Sequence, residues 1–378
     1  MIIELDTTGT IIALEKILTD FSKKDTVKSI MVLAGNNKEF IPEKLDPVLR
    51  KISVPIIGGL FPAVMHNNIF LEVGTIVVGL PKAIENFVIH DLNNEDIDLD
   101  SIVEDISLNK STSSNETFFV FIDGAAGQLG QLVDSLFSIF GVINSFIGGG
   151  AGEFYPNTEM VSKPCVFTND GLFSDSAVIG VLQTKSEMCV SHGFKKISDS
   201  YRVTNTREKQ IISIDWEPAI EPYIKVLEKD SGIEITKENF FEVNEYYSLG
   251  IERIGGNIVV RQVITYTDDG SLTFIVPIPN ESLVCVLKSD SETMLEDVKL
   301  ATTSFYKELN HKDDSFLFLV DCVSRYHLLG DDFKKELALI NRNDVPLVGV
   351  LSLSEIANTG TNYIESYNRT FVIGLLKC

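Results

Sequence analysis

The segment at 145–153, SFIGGGAGE, combines small residues with a carboxylate. It contains Gly148, Gly149, Gly150 and Gly152, and it ends at Glu153. Small residues let a second backbone or a ligand approach closely, and a carboxylate after them can receive an amine or anchor the turn. A phosphate cradle of the Walker type needs a lysine near its end, and none follows here. Tight strand packing and a ligand pocket are the two open interpretations.

A second segment, VGVLSLSE at 348–355, has a similar design near the C-terminal end. It is a strand-like run that breaks into small residues, and it ends at the carboxylate Glu355. The same two interpretations apply: Glu355 binds an amine, or it caps a packed turn.

The segment DCVSRYHLLG begins at Asp321, where a buried strand is expected to become a helix. Ligands of α/β sheets usually bind at such a junction. Cys322 would be a nucleophile with His327 as its base, but a separation of five positions is poor geometry for that pair. A buried, inert thiol is the more frequent case. Arg325 could bind a carboxylate with its planar fork, or form an ion pair with Asp321 or Glu355.

A third charged position, Arg261, lies inside the apolar run IVVRQVITY. A charge embedded in an apolar strand must be paired or face a polar cavity. Other familiar motifs are incomplete. GAAGQLG at 124–130 has the spacing GxxGxxG, which differs from the dinucleotide fingerprint GxGxxG. The histidines lack metal-ligand spacing and the five cysteines form no CxxC pair. We therefore expect no catalytic residue, no metal and no cofactor.

The acidic composition limits the classes of partner. The chain has 378 residues and a formal net charge of −22 at pH 7. This charge repels phosphate backbones and anionic lipid surfaces, so we expect no nucleic-acid partner and no membrane partner. No apolar run approaches the ~20 residues of a membrane span, and the start MIIELDTTGT lacks the features of a signal peptide. The expected location is the cytoplasm.

Three long apolar runs must position these residues. They lie at 29–35, 118–124 and 315–322, and their unbroken apolar character indicates strands buried on both faces. Each is followed by a helix-sized connection, a short strand that breaks on small residues, and a further β-branched strand. The order strand, helix, strand, strand therefore occurs three times, which predicts pseudo-symmetric units with helices outside.

Apolar periodicity predicts helices at 127–140 and 327–340. The predicted fold class is α/β (mixed α+β), with mixed β-sheets flanked by helices. We expect two domains, an N-terminal one at 1–213 and a C-terminal one at 214–378.

Taken together, these segments resemble the FIST family of sensory domains. IGGGAGE, SAVIGVL and VSHGFKKISDSYRVT resemble its N-terminal domain, and IDWEPAIEPY resembles its linker. YYSLGIE, VVRQV, DGSLTF, DCVSRYHLLG and VPLVGVLSLSEIA resemble its C-terminal domain in order and spacing. The resemblance extends over residues 25–378, and the C-terminal signature is the more specific part.

The resemblance implies a set of ligand-binding positions. They are Gly149, Gly150, Gly152, Glu153, His192, Arg261, Cys322, Arg325, Glu355 and Asn368. Three features depart from the family pattern. Ser354 stands where the family often has glycine, and Tyr367 precedes Asn368 where the family has histidine. The first unit, IIGGLFPAVMHNNIF, lacks the usual hydroxyl and acidic turn, so no pocket is expected there.

The family is regarded as intracellular signal-input modules, proposed to bind small molecules such as amino acids. We therefore expect a stand-alone sensory protein without catalysis, read by a separate signalling output protein. Glu153 and Glu355 would meet an ammonium group, and Arg261 or Arg325 would meet a carboxylate. One alternative is a cysteine-dependent hydrolase or transferase that uses Cys322. Another is a protein-interaction scaffold in which the glycines only pack strands.

Overall fold

The computed structural model describes residues 1–35, 37–111, 115–154, 160–253, 255–309, 314–358 and 363–377. These residues form three units of similar element order. Each unit has an edge strand, a helix, a first strand, a helical connection, a second strand, a hairpin and a last strand. The first unit consists of β1 (Ile2–Asp6), α1 (Ile11–Ser22), β2 (Ser29–Ala34), α2 (Pro42–Leu49), β3 (Ile56–Leu60), the hairpin β4 (Ala63–His66) and β5 (Ile69–Leu71), and β6 (Thr75–Leu80).

The second unit repeats this order without interruption. It consists of β7 (Ile84–Ile89), α3 (Leu99–Asn109), β8 (Thr117–Asp123), α4 (Leu129–Phe140), β9 (Ser145–Ala151), the hairpin β10 (Val166–Thr168) and β11 (Gly171–Phe173), and β12 (Ala177–Leu182).

The third unit begins with its edge strand β13 (Glu187–Ser191) and is then interrupted by an insert. The insert consists of β14 (Lys195–Lys196), β15 (Tyr201–Arg207), β16 (Gln210–Ile214), β17 (Glu217–Pro218), α5 (Ile220–Ser231), α6 (Phe240–Asn244), β18 (Tyr247–Glu252), β19 (Ile258–Arg261), β20 (Thr265–Tyr266), β21 (Leu272–Thr273) and β22 (Leu283–Lys288). Its strands form a sheet of their own.

After the insert, the third unit resumes the common order. It continues as α7 (Ser291–Glu308), β23 (Ser315–Cys322), α8 (Val323–Leu329), a 3-10 turn (Gly330–Asp332), α9 (Phe333–Ile340), β24 (Leu347–Ser352), the hairpin β25 (Glu355–Ala357) and β26 (Glu365–Tyr367), and β27 (Phe371–Lys377).

Strand pairing within the units follows one rule. The first strand of each unit pairs in parallel with the second strand and antiparallel with the last. In the second unit, for example, Phe121 of β8 lies opposite Gly149 of β9 on one side and Val178 of β12 on the other. The edge strands β1, β7 and β13 pair with the last strand of their own unit. The unbroken apolar runs suit these first strands because both of their faces are buried.

The hairpins are exchanged between units in a cycle. The hairpin of the first unit pairs with β24 of the third, the hairpin of the second pairs with β3 of the first, and the hairpin of the third pairs with β9 of the second. Each of the three sheets is therefore completed by a neighbouring unit, which ties the units into one body.

The three sheets share an apolar interior in which aromatic rings from all three units meet. Phe121 of the second unit packs edge-to-face against Phe61 of the first and Phe318 of the third, at centroid distances of 5.5 Å and 6.2 Å. The helices cover the outer faces: α1 and α2 on the first sheet, α3 and α4 on the second, and α7 to α9 on the third. The mixed α/β fold with pseudo-symmetric units is confirmed.

Two sequence-based expectations compare differently with the structure. The single helix predicted at 327–340 is wrong, because a helix already begins at Val323 and the path turns at Gly330, whose φ is +51°. A turn of that hand favours glycine and interrupts an α-helix. The division at 213/214 stays a prediction, and the pairing of β13 with β27 joins residues from both sides of it.

Candidate functional site

The second strands β3, β9 and β24 end close together, one from each unit. The amide of Gly152 donates to the carbonyl of Leu60 over 2.8 Å, and the amide of Leu353 donates to the carbonyl of Gly150 over 3.0 Å. In α/β sheets, ligands commonly bind beyond the carboxyl ends of such strands. Two cavities lie at this end of the molecule.

The first, which we call the Glu153 cavity, has a volume of about 350 Å³ and both signs of charge in its lining. Its charged residues are Lys38, Glu43, Glu153 and Lys163, and the rings of Phe40 and Phe61 contribute apolar wall. Its size falls in the lower range of small-molecule sites, which are mostly apolar with a few polar groups.

Gly152 sets the direction of the chain at this cavity. Its φ of +125° is a conformation that L side chains rarely adopt. Both Gly152 and Glu153 line the cavity, and the carboxylate of Glu153 lies 2.6 Å from Nζ of Lys163. Because of this positive φ, the chain turns at Gly152 directly after β9, and the charged side chain of Glu153 follows.

The second, which we call the Tyr326 cavity, has a volume of about 430 Å³ and an aromatic wall. Phe70, Phe154, Tyr326 and His327 line it, together with the carboxylate residue Glu72. Asn37 and Lys38 line both cavities. The two cavities are therefore adjacent, and Asn37 and Lys38 lie between them.

The other glycines of the segment have a packing role. A Cβ atom on Gly148 would lie 1.9 Å from the carbonyl oxygen of Val120, and one on Gly149 would lie 2.4 Å from that of Ser354. A Cβ atom on Gly150 would lie 3.1 Å from Gly124. These three glycines belong to β9 and allow close contact with β8 and the exchanged hairpin. Of the four glycines, Gly152 is the one that lines the Glu153 cavity.

Arg325 lies in a closed ionic cluster. Its Nε lies 3.2 Å from Asp321, a second nitrogen contacts Glu336, and a third donates to the carbonyl of His192 over 2.8 Å. The side chains of Arg325, Asp321 and Glu336 are fully buried. Burial, followed by repulsion from Glu336, raises the pKa of the Asp321 carboxyl well above its usual range. Arg325 thus forms the ion pair with Asp321 that the sequence offered as an alternative.

Cys322 and Glu355 form a second buried pair beside this cluster. Glu355 accepts from the Ser352 hydroxyl over 2.7 Å and from the amide of Thr370 over 3.4 Å. Burial raises the pKa of Glu355 to about 8. Burial, together with the nearby Glu355 charge, also raises the pKa of the Cys322 thiol. A nucleophilic cysteine needs the opposite shift, so this environment gives the hydrolase alternative no support.

Arg261 and Asn368 are buried where the hairpin of the third unit meets the insert. Arg261 donates to the carbonyl of Ser366 over 2.7 Å and lies 3.7 Å from Glu365. Burial lowers the pKa of Arg261 to about 10. The carbonyl of Asn368 accepts from the Thr370 hydroxyl over 2.8 Å. Arg261 is therefore paired within the protein, which is one of the two states expected for a charge in an apolar strand.

His192 is held by its own loop. Its Nδ1 accepts from the amide of Phe194 over 2.9 Å, and burial lowers the pKa of the ring to about 4. The imidazole is therefore neutral at pH 7. The structure brings His192, Cys322, Arg325 and Glu355 into one buried polar region, while Gly152 and Glu153 line a separate cavity.

Comparison with known protein families decides what kind of protein this is. The model of the FIST N domain matches residues 32–217, and that of the FIST C domain matches residues 219–358. The chain belongs to the FIST family. FIST domains are generally sensory and signal-transduction domains. A stretch of 171 residues is also 22% identical to an uncharacterized protein, MJ1623, of Methanocaldococcus jannaschii; it covers 43% of this chain and 32% of that protein.

The two FIST regions contribute unequally to the two sites. Lys38, Gly152, Glu153 and Lys163 lie in the FIST N region, and Tyr326 lies in the FIST C region. The Glu153 cavity is thus a FIST N feature, and the Tyr326 cavity lies where the two regions meet. Among the described residues, no helix is long and apolar enough to cross a membrane. Within the same ranges, no cluster of three or more histidine, cysteine, aspartate or glutamate side chains could hold a metal ion.

Sequence reasoning missed most of the cavity lining. The expectation of no pocket at the turn of the first unit is wrong, because residues 60–63 line the two cavities. Lys38 follows the buried strand β2, and Phe154 follows Glu153, so position after a strand end is the signal that could have found both. Lys163 and Phe70 reach the cavities from a loop and from an exchanged hairpin. Their placement depends on pairing between units, for which the sequence has no local signal.

Proposed function

We propose that this protein is a sensory protein whose Glu153 cavity binds a small zwitterionic ligand, an amino acid or a short peptide. The observation that supports the proposal is the presence of two carboxylates and two lysines around apolar wall at the strand ends. Glu43 and Glu153 offer acceptors for an ammonium group, and Lys38 and Lys163 offer donors for a carboxylate. Charge-assisted hydrogen bonds of this kind are the stronger ones.

The ligand contacts in this proposal differ from those expected from the sequence. Glu153 and Gly152 keep their assigned role. Arg325 and Arg261 are buried in contacts within the protein and line neither cavity, so Lys38 and Lys163, which line the Glu153 cavity, replace them as the groups that receive the carboxylate. The ion pair between Lys163 and Glu153 would open so that each group meets the ligand. Glu355 is fully buried with its own donors, and it supports the turn after β24.

The exchanged hairpin offers a physical route from the cavity to the insert. β25 pairs with β9, the strand that ends directly before Gly152. The next strand of the hairpin carries Glu365, which lies 2.7 Å from Arg253 of the insert. A shift of the β9 end on binding would therefore change how the insert is held, and a separate signalling output protein would read the altered population. The proposal keeps the cytoplasmic location expected from the sequence.

The test is a thermal-shift screen with the twenty amino acids and a set of dipeptides at millimolar concentration, followed by calorimetry of any hit. A ligand that binds only the folded state must raise the apparent melting temperature. Glu153→Gln and Lys38→Gln are expected to weaken the hit at least about tenfold, which corresponds to ~1.4 kcal/mol. Glu242→Gln, at an exposed position on α6, is the matched control and should bind like the parent. No stabilisation by any member of the screen would overturn the proposal.

A further inference from the structure

Four aromatic side chains form a continuous row along the Tyr326 cavity. Phe70 stacks on Tyr326 at a centroid distance of 5.0 Å and an interplanar angle of 15°. Tyr326 contacts His327 at 5.4 Å, and His327 contacts Phe154 at 5.2 Å. All four line the same cavity of about 430 Å³. A row of rings beside an open volume offers π-faces to a ligand.

Each of the three units contributes to this row. Phe70 lies on β5 of the first unit, Phe154 follows β9 of the second, and Tyr326 and His327 lie on α8 of the third. The row therefore forms only when the three units assemble. The rings also remain partly open: Phe70, Phe154 and Tyr326 are half-buried, and His327 is exposed. Rings that served only to fill the core would be more fully covered.

Polar groups at this cavity are available for a ligand. Within the described ranges, the hydroxyl of Tyr326 and the carboxylate of Glu72 have neither a hydrogen-bond partner nor an ion-pair partner. The ring of His327 has no hydrogen bond there, and only the charge of Glu245 acts on it. This contrasts with the ionic cluster around Arg325, whose members contact one another. The Tyr326 cavity combines π-faces, apolar wall from Val323 and Leu351, and unpaired polar groups.

Lys38 connects this cavity to the Glu153 cavity, since it lines both. A carboxylate held at Lys38 leaves the side chain of the same ligand free to enter either volume. Only the Tyr326 cavity has a row of aromatic rings against which a planar side chain can stack. Stacked and edge-to-face aromatic pairs add stabilisation beyond the area that they bury.

We propose that the ligand carries an aromatic side chain, which lies against the row Phe70, Tyr326, His327 and Phe154 while its charged groups stay at Lys38 and Glu153. This inference rests on the proposed function and specifies its ligand as an aromatic amino acid or a short peptide that contains one. The aromatic row then determines which amino acid binds best. Lys38 and Glu153 bind the carboxylate and ammonium groups that all amino acids share.

The experiment compares L-phenylalanine with L-alanine by calorimetry on the full chain. We expect L-phenylalanine to bind at least about tenfold more tightly, which corresponds to ~1.4 kcal/mol. Tyr326→Leu and Phe154→Leu should each reduce this ratio at least threefold, because each removes a ring against which only the L-phenylalanine side chain can stack. Phe241→Leu, at a position 59% exposed on α6, is the matched control and should keep the ratio. If one of these two cavity variants fails to fold, the other still tests the aromatic preference.

The outcomes separate this inference from the proposed function. Equal binding of both probes would overturn the aromatic preference and leave the Glu153 cavity as an amino-acid site. A preference for L-phenylalanine that neither cavity variant changes would also overturn the inference, because the ring would then lie elsewhere. Binding of neither probe, nor of any other amino acid or dipeptide, would overturn both.

Discussion

The guanidinium of Arg325 lies 3.2 Å from the carboxylate of Asp321, and both side chains are fully buried. Glu336, equally buried, contacts the same guanidinium, and the ring of Phe371 lies 5.5 Å from it. One cation thus lies between two carboxylates in apolar surroundings. Removing one partner from such a cluster leaves an uncompensated buried charge, and this costs far more than the loss of a surface ion pair.

Arg325→Met is therefore expected to lower the free energy of unfolding by about 3–5 kcal/mol, measured by urea denaturation. The matched control is Arg202→Met, which removes an ion pair with Glu281 whose side chains are both about half exposed. That change should cost under about 1 kcal/mol. Equal effects of the two substitutions would show that the buried cluster does not stabilise the fold.

The buried carboxyl group of Glu355 is expected to make the free energy of unfolding fall as pH rises. Burial raises its pKa from 4.5 to about 8 in the folded state, so the folded state binds more protons than the unfolded state between these values. Stability from this group is then lost as pH rises from about 4.5 to 8, with a slope of at most about 1.4 kcal/mol per pH unit.

The measurement is urea denaturation of the parent and of Glu355→Gln at several pH values in that window. Glutamine does not titrate, so the difference between the two proteins isolates the glutamate. The parent should lose stability relative to the variant as pH increases. Parallel curves would mean that Glu355 titrates near its ordinary value.

Cys322 is expected to react slowly with alkylating agents in the folded protein. Burial, followed by the Glu355 charge, raises its thiol pKa, and the thiolate is the reactive form. Mass-spectrometric mapping of iodoacetamide labelling at pH 7.5 should show Cys322 modified at least about a hundredfold more slowly than in urea-unfolded protein. Fast, selective labelling of Cys322 would instead support the alternative of a cysteine-dependent hydrolase or transferase. Cys378 lies outside the described residues, so its labelling is recorded but no rate is predicted for it.

A single methyl group added at Gly148 is expected to lower the free energy of unfolding strongly. A Cβ there would lie 1.9 Å from the carbonyl oxygen of Val120, so Gly148→Ala must push β9 away from β8. We expect a loss of about 3 kcal/mol or more in the free energy of unfolding. Gly232→Ala is the control, since its φ is +71° but nothing lies within 4 Å of the added atom; it should cost about 1 kcal/mol. A mild effect at Gly148 would contradict the packing role.

The local elements were predictable because their signals are local. The runs at 118–124 and 315–322 became β8 and β23, since a strand buried on both faces has no polar side to interrupt its apolar run. The exchange of hairpins was not predictable. β4 pairs with β24 from almost 300 positions away, and no residue in either strand specifies the partner.

The candidate site was predictable only in part, for a related reason. Glu153 and Gly152 line a cavity because they follow directly on a strand end, and this position can be read from the sequence. Arg325 was also identified as either a ligand group or an ion-pair partner. Which of the two applies depends on Glu336, on a helix that the sequence placed with different bounds. Charge alone did not distinguish a closed cluster from an open cavity.

The cyclic arrangement of the units predicts that the chain tolerates circular permutation. The units are joined by the short linkers at 81–83 and 183–186, and Lys82 of the first linker contacts Thr184 of the second and the carbonyl of Lys377. The amino group of Met1 lies 3.1 Å from Asp314, which precedes the strand that pairs with Lys377. Both ends of the described chain therefore lie where a third linker would be.

A permutant that starts at Ala83, ends at Lys82 and joins Cys378 to Met1 through four glycine and serine residues should fold with a melting temperature within a few degrees of the parent. Its strands and their partners are unchanged, and the opening lies between two elements at the exposed residue Ala83, which is where proteins tolerate a new terminus. The control opens the chain between Val120 and Phe121, inside the buried strand β8, and should not fold. If this permutant and a second one opened at 183–186 both failed to fold, the covalent order of the units would be required for folding, and the prediction would be wrong.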